Sequence, residues 1–150
     1  MAKIKWSTKA FKDLTVDEYF ELLHLRVAVF VVEQDCPYQE VDEKDRHSFH
    51  LFGRTENGDV IAVTRVLPKG VSYQEISMGR VALKKEFRGQ GIADTLMIET
   101  FKFIESQYGK QPIRISAQEY LLNYYNKHGF VQVGDGYLED DIPHVEMLRI

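Results

Sequence analysis

The stretch EFRGQGIADTL, Glu86 to Leu96, sets two glycines one residue apart behind an arginine, where an apolar run gives way to a helical pattern. A helix N-terminus leaves backbone N–H groups without partners and carries partial positive charge. Glycines just before it let an anion approach those groups, because no Cβ stands in the way. Lys84, Lys85 and Arg88 add positive charge at this point of a chain whose net charge is -4. A diphosphate suits this chemistry, and so does a plain tight turn, since strand-to-helix junctions often need φ > 0. Two familiar phosphate cradles do not fit. A P-loop follows its last glycine with Lys and Ser or Thr, whereas Ile92 and Ala93 follow Gly91. A dinucleotide fingerprint wants a third small residue where Asp94 stands, and a carboxylate at the end of the next strand, where IRISA has none.

The elements that must hold this stretch can be read from periodicity. Ile4 to Trp6 has the makings of a short strand. Thr15 and Glu18 have capping-box spacing, and behind them Tyr19, Leu22, Leu23, Arg26, Val27 and Phe30 recur at helical spacing. The acidic segment VVEQDCPYQEVDEKDRH has no period and reads as a loop with room for one helical turn. Asn57-Gly58 between SFHLFGRT and DVIAVTRVLP marks a hairpin, and EISMGRVAL adds a third strand. Gly91 to Tyr108 is the clearest helix, with Ile92, Leu96, Met97, Phe101, Ile104 and Tyr108 as its buried stripe, ended by Gly109 and Pro112. Ile113 to Ala117 is a strand, Glu119 to His128 a helix stopped by Gly129, and the remainder two strands around a turn. Strands consecutive in the middle, with helical crossovers at both ends, predict an α/β protein with a mixed sheet and helices packed on it.

The bulk numbers narrow the classes. A chain of 150 residues suits one domain, here residues 1–150, with a real core. The single cysteine, Cys36, excludes an internal disulfide and a multi-cysteine zinc site. The negative net charge argues against a general nucleic-acid binder. No apolar stretch has the length of a membrane span, and MAKIKWSTKAFKDL lacks the apolar run of a signal peptide, so a cytoplasmic protein without membrane association is expected.

A second motif lies beyond the next strand. RVALKKEFRGQGIA followed by YYNKHGF resembles the GCN5-related N-acetyltransferase (GNAT) superfamily, whose pattern Arg/Gln-x-x-Gly-x-Gly/Ala is matched by Arg88, Gly91 and Ala93. The later aromatic motif is matched by Tyr124, Tyr125, Lys127, Gly129 and Phe130, and LRVAVFVVEQDCPYQEVDEKD is similar to the ElaA-like branch of that superfamily. The resemblance spans nearly the whole chain. It implies a mostly antiparallel mixed sheet of about six or seven strands with flanking helices. It also implies acetyl-CoA as cosubstrate, no metal, an amine as acceptor (small molecule, peptide or protein), and a fold compatible with a homodimer. A non-catalytic acyl-CoA-binding sensor on the same fold is the alternative, and an unrelated anion-binding domain a third.

On that resemblance, the amides of Gly89, Gln90, Gly91, Ile92, Ala93 and Asp94, with Arg88, would hold the CoA diphosphate. The backbone of Val81, Ala82 and Leu83 would pair with the pantetheine arm as an added strand, one N–H polarising the thioester carbonyl. Plain core packing also accounts for the side chains of Val81 and Leu83. Tyr125 would be the general acid near the sulfur, and Gln118 would hydrogen-bond the pantetheine or the diphosphate. For the base or acceptor site, the residues on offer are Glu33, just past the first helix, and His50, mid-strand between Phe49 and Leu51. Glu75 shares strand parity with Ser77 and Val81 and is more simply a solvated edge residue. Glu40, Asp42, Glu43, Asp45 and His47 lack calcium-loop spacing and are expected to form a solvated acidic loop that steers a cationic acceptor. Cys36, next to Asp35, is expected to be structural.

Overall fold

The structure, a computed structural model, describes residues 3–150. It begins with strand β1 (Lys5–Ala10), longer than the segment predicted, and helix α1 (Val16–Val27). The capping box forms: the Glu18 N–H donates to Thr15 Oγ1 at 3.0 Å, and the Thr15 N–H donates to the Glu18 carboxylate at 2.9 Å. The helix then widens into a π-helical turn (Ala28–Glu33), so Glu33 closes the helix instead of following it in a loop. Leu22, Leu25, Arg26 and Val29 form the buried face, and Val27 turns outward.

Strands β2 (Phe49–Arg54) and β3 (Val60–Leu67) make the expected hairpin, with Gly58 at φ +91° in its turn. Strand β4 (Ser77–Leu83) completes an antiparallel sheet in the order β1-β2-β3-β4. Helix α2 (Ile92–Tyr108) is followed by β5 (Ile113–Gln118), a 3-10 turn (Glu119–Leu121) and the short α3 (Leu122–Lys127). Strands β6 (Phe130–Glu139) and β7 (Ile142–Arg149) join β5 in a second antiparallel sheet, order β5-β7-β6. Their connection is a two-residue turn, Asp140-Asp141, with both residues at positive φ, as tight hairpins require. The predicted mixed sheet is therefore two antiparallel sheets touching through one parallel bridge, Ile76 to Ile113, where the Arg114 N–H donates to the Ile76 carbonyl at 2.9 Å.

Helix α2 holds the two sheets together. Leu96 packs on Leu51, Ile61 and Leu83 of the first sheet, while Met97 and Ile104 share a cluster with Ile113, Ile115, Val145 and Met147 of the second. Each such side chain, fully buried, contributes about 1.5–3 kcal/mol. Helix α1 covers the opposite face through Leu22, Leu25, Phe52, Val63 and Ala82.

Past the parallel bridge, β4 and β5 part. A register shift between Val63 and Arg65 sets Arg65 against Gly79 but Val63 against Ala82, one residue more on β4 than on β3. This is a β-bulge, and Arg80 within it has φ +51°, a left-handed conformation costing about 1–3 kcal/mol for a residue with a side chain. The bulge also breaks the parity read from the sequence: Val81 packs with Ile76 and Met78, not on the face of Ser77.

The segment expected to be a solvated acidic loop is instead anchored by buried charges. Asp45 is 1% exposed and Glu40 3%. Arg26, itself buried on α1, donates to Glu40 at 2.5 Å and to Asp45 at 3.0 Å. Arg65 donates to Asp42 at 2.6 Å and Asp45 at 2.9 Å, and Arg80 donates to Glu40 at 2.9 Å. Tyr19 and Tyr38 donate to Asp45 and Glu40. Spacing along the chain could not reveal this, because every cationic partner comes from another element. Glu43 stays in solvent within a 3-10 turn, Glu43–His47.

Removing one partner strands buried opposite charge. Asp45→Asn is expected to cost about 3–5 kcal/mol in urea denaturation at neutral pH. Burial by itself would raise the Asp45 pKa, but Arg26 and the hydrogen bonds from Tyr19, Arg26 and Arg65 hold it below the ordinary carboxylate value. A carboxyl lowered on folding stabilises above its unfolded pKa, and the gain is lost as pH falls through its folded value. Stability should therefore fall more steeply below about pH 4 in the wild type than in Asp45→Asn, and parallel pH profiles would rule this out.

Candidate active site

The parting of β4 and β5 opens a cleft of about 770 Å³. Its walls are β4 from Ser77 to Leu83 and β5 from Ile115 to Gln118; the end of α1, the loop after it and the β6–β7 turn close over it. Two contacts tie this roof across the gap. The side-chain amides of Gln34 and Gln118 pair at 3.2 Å, and Cys36 Sγ lies 3.7 Å from the Asp140 carbonyl.

Arg88 lines the cleft, and the start of α2 follows it directly in the chain, although residues 89–94 do not themselves line the cavity. None of the backbone N–H groups from Gly89 to Asp94 finds an acceptor among the described residues; the first paired amide is that of Thr95, bonded to the Gly91 carbonyl. Gly89 and Gly91 sit at φ +80° and +82°, which side-chain-bearing residues rarely adopt, and the space where a Cβ would stand is open. Ile92 puts its side chain in the core, so this position offers only its backbone. The Asp94 carboxylate faces away toward α3, 3.0 Å from His128 Nε2 and 3.9 Å from Lys127 Nζ.

Arg88 folds back across the strand end. It donates to the Leu83 carbonyl at 2.9 and 3.1 Å and to both Glu33 oxygens at 2.6 and 2.9 Å. The Leu83 carbonyl is thus already engaged, which leaves less of that residue for a ligand. Glu33 lines the cleft, held below its ordinary pKa by the hydrogen bond from Arg88. Gln118 is also in the cleft wall.

Tyr125, on α3, lines the cleft. It is 8% exposed, packs edge-on against Tyr124 and Phe130, and its hydroxyl has no partner among the described residues. Burial, helped by the nearby Tyr120, pushes its pKa up to about 12. The hydroxyl is therefore protonated at neutral pH, fit to give a proton and unfit to take one.

The structure does not bring His50 to this site. His50 lies under α1, 2% exposed, between Phe11 and Tyr19, with Nε2 2.9 Å from the Asp45 carbonyl. Burial lowers its pKa, and it lines no part of the cleft. Its strand parity sends it to the α1 face of the sheet, away from the gap. Glu75 is likewise outside, gripped by Arg114 through two contacts of 3.0 Å.

Sequence reasoning missed several cleft residues: Arg65, Tyr73, Arg80, Ser116, Glu139 and His144. For His144 a signal existed. In IPHVEML, Val145 and Met147 alternate with His144 and Glu146, which places the latter pair opposite the core.

A model of the acetyltransferase (GNAT) domain matches residues 15–149. The chain belongs to the GNAT acetyltransferase family. It is 35% identical to protein ElaA of Escherichia coli over 148 residues, 97% of this chain and 96% of that one. The crystal structure of that ElaA superposes with TM-score 0.91 over 99% of this chain and all of the other. The crystal structure of an acyl-CoA N-acyltransferase from Pseudomonas aeruginosa, 41% identical, gives 0.93 over the same shares. This GNAT chain is accordingly an acyltransferase of mixed α/β fold, in a family that uses acyl-CoA as cosubstrate. No helix among its described residues is long and apolar enough to cross a membrane.

Because Gly91 of this GNAT chain is left-handed, Gly91→Ala is expected to lower stability by about 1–2 kcal/mol despite the free space around it. Thermal unfolding with a midpoint unchanged from wild type would count against that conformation.

Proposed function

We propose that the chain is an acetyl-CoA-dependent N-acetyltransferase, one domain over residues 1–150, that moves acetyl directly onto an amine. The observation that carries this reading is the run of six amides, Gly89 to Asp94, without partners among the described residues, which follows directly on Arg88 of a cleft that also holds Tyr125. Those amides suit a diphosphate in number, direction and openness. Main-chain groups on the unpaired edges of β4 and β5 suit an extended amide-bearing arm such as pantetheine, with the Leu83 carbonyl already taken by Arg88. Gln118 would hydrogen-bond the arm where it passes the Gln34 contact.

The reaction needs an oxyanion partner, a proton donor for the thiolate and an acceptor for the amine's protons. A β4 N–H at the bulge would polarise the thioester carbonyl. Tyr125 would protonate the departing sulfur, and its raised pKa keeps that proton in place until it is needed. Arg88 would act from the side, by holding the Leu83 carbonyl and the end of α1 in position. A cationic acceptor is favoured by Glu139 and Asp140, cleft carboxylates with no lysine or arginine partner among the described residues.

Calorimetric titration should show acetyl-CoA binding, and Gly91→Val should weaken it at least tenfold by crowding the amides. A screen of spermidine, tyramine and glycylglycine (a polyamine, an arylalkylamine and a peptide amine) should show CoA thiol release with at least one. Tyr125→Phe should lower kcat about 10²-fold with acetyl-CoA affinity unchanged. Absence of binding at millimolar acetyl-CoA would overturn the reading; binding without turnover of any amine would turn it toward a sensor.

A further inference from the structure

The cleft holds a histidine that the reading above leaves unused. His144 lies on β7, the central strand of the second sheet, paired with Gln118 of β5 on one side and Tyr137 of β6 on the other. It is 7% exposed, lines the cleft, and has Tyr137 stacked against it at 6.2 Å. Its Nδ1 is 2.7 Å from the Ile142 carbonyl oxygen. A carbonyl can only accept, so Nδ1 carries the hydrogen, and in the neutral ring the lone pair is on Nε2. That nitrogen is 3.5 Å from the Glu139 carboxylate.

This arrangement comes from two local features of the chain. The bulge at Gly134-Asp135-Gly136, where Val133 faces Glu146 and Tyr137 faces His144, brings Tyr137 and Glu139 beside the imidazole. The Asp140-Asp141 turn then holds Glu139 against Ile142, two residues before His144 on β7. The tautomer is thereby set by the backbone, and a proton arriving on Nε2 meets a carboxylate.

We infer that His144, supported by Glu139, is the general base that takes the proton from the acceptor amine. The inference rests on the acetyltransferase reading. An ammonium acceptor gives one proton to His144 Nε2, freeing the nitrogen lone pair. That lone pair forms the new C–N bond at the thioester carbonyl carbon, and the C–S bond breaks with its electron pair on sulfur. Tyr125 protonates the sulfur, the second nitrogen proton replenishes Tyr125, and the proton on His144 leaves to solvent. The products are the amide, the free thiol and one proton, which balances an ammonium and a thioester. The two sequence-derived candidates are poorly placed for this role, since Glu33 is held by Arg88 and His50 lies outside the cleft.

The charged and titratable groups around His144 are Glu139 and Tyr137 of β6, Asp140 of the turn, Tyr73 before β4, and Glu146 of its own strand, tied to Arg114 of β5. Burial pushes Tyr73 up to about 12 and raises Tyr137 as well, so neither tyrosine ionises near neutral pH.

The test uses the full-length enzyme with whichever of spermidine, tyramine or glycylglycine it turns over. The kcat/KM of the wild type should rise with pH along a limb set by one ionisation. His144→Gln should lose that limb and about 10²- to 10⁴-fold in kcat, with acetyl-CoA affinity unchanged. His144→Ala should recover activity with added imidazole, which a structural role would not allow. Glu139→Gln, at an exposed position, should shift the limb to lower pH, because a carboxylate beside the ring favours its charged form. A His144→Gln enzyme with wild-type kcat and pH profile overturns the assignment and leaves the acetyltransferase reading intact. The assignment is also tested without an acceptor. The imidazole carbon-bound proton resonance of His144, identified by its loss in His144→Gln, should move with Glu139→Gln. A resonance that ignores Glu139 overturns it.

Discussion

Three arginines neutralise three carboxylates beneath the cleft: Arg26, Arg65 and Arg80 against Glu40, Asp42 and Asp45. Much of what surrounds the site depends on this arrangement. Buried charges are expensive unless each is paired and hydrogen-bonded, so a loop that carries such carboxylates is held to few conformations. The loop between α1 and β2 has little regular structure of its own, and the ion pairs give it a path. The same pairs hold Arg80 in its left-handed bulge, offsetting strain that the backbone would otherwise relieve. The bulge in turn helps β4 leave β5, which opens the cleft.

The proposed site is built from two different materials. At the start of α2, just beyond Arg88, the groups on offer are main-chain amides, set by helix geometry and two left-handed glycines. At the β6–β7 end they are side chains, His144, Glu139, Ser116 and Tyr137, set by a bulge and a tight turn. Tyr125 of α3 also lines the cleft, and Gln34 meets Gln118 from the opposite wall. Main-chain recognition suits a ligand with repeated amide and phosphate chemistry. Side-chain recognition suits one whose shape and charge vary from one relative to another.

Much of the fold was legible because local rules and tertiary structure agree. Thr15-x-x-Glu18 caps α1, Asn57-Gly58 turns the β2–β3 hairpin, and Ile92, Leu96, Met97 and Ile104 of the predicted stripe are buried on the sheets, with Phe101 and Tyr108 half-buried and Thr100 buried beside them. Legibility failed where residues far apart in the chain set the outcome. The acidic loop looked solvated because its arginines come from α1, β3 and β4. His50 looked available because strand parity alone does not say which face meets the gap. The parity assigned to Glu75 and Val81 failed at a bulge whose left-handed residue is Arg80 and not the neighbouring Gly79. His144 was visible as a non-core strand residue, but only the parting of the two sheets makes its face the wall of a cleft.

That parting leaves two strands with unsatisfied edges in the middle of the protein. Exposed strand edges elsewhere are a hazard, because they recruit extended segments of other chains into intermolecular sheets. Here the edges face inward, and the Gln34–Gln118 and Cys36–Asp140 contacts draw the loop after α1 over them. A short, flexible molecule can thread this gap, whereas a second polypeptide strand meets a barrier. The roof of the cleft thus does a second job, as a guard against self-association where β4 and β5 part.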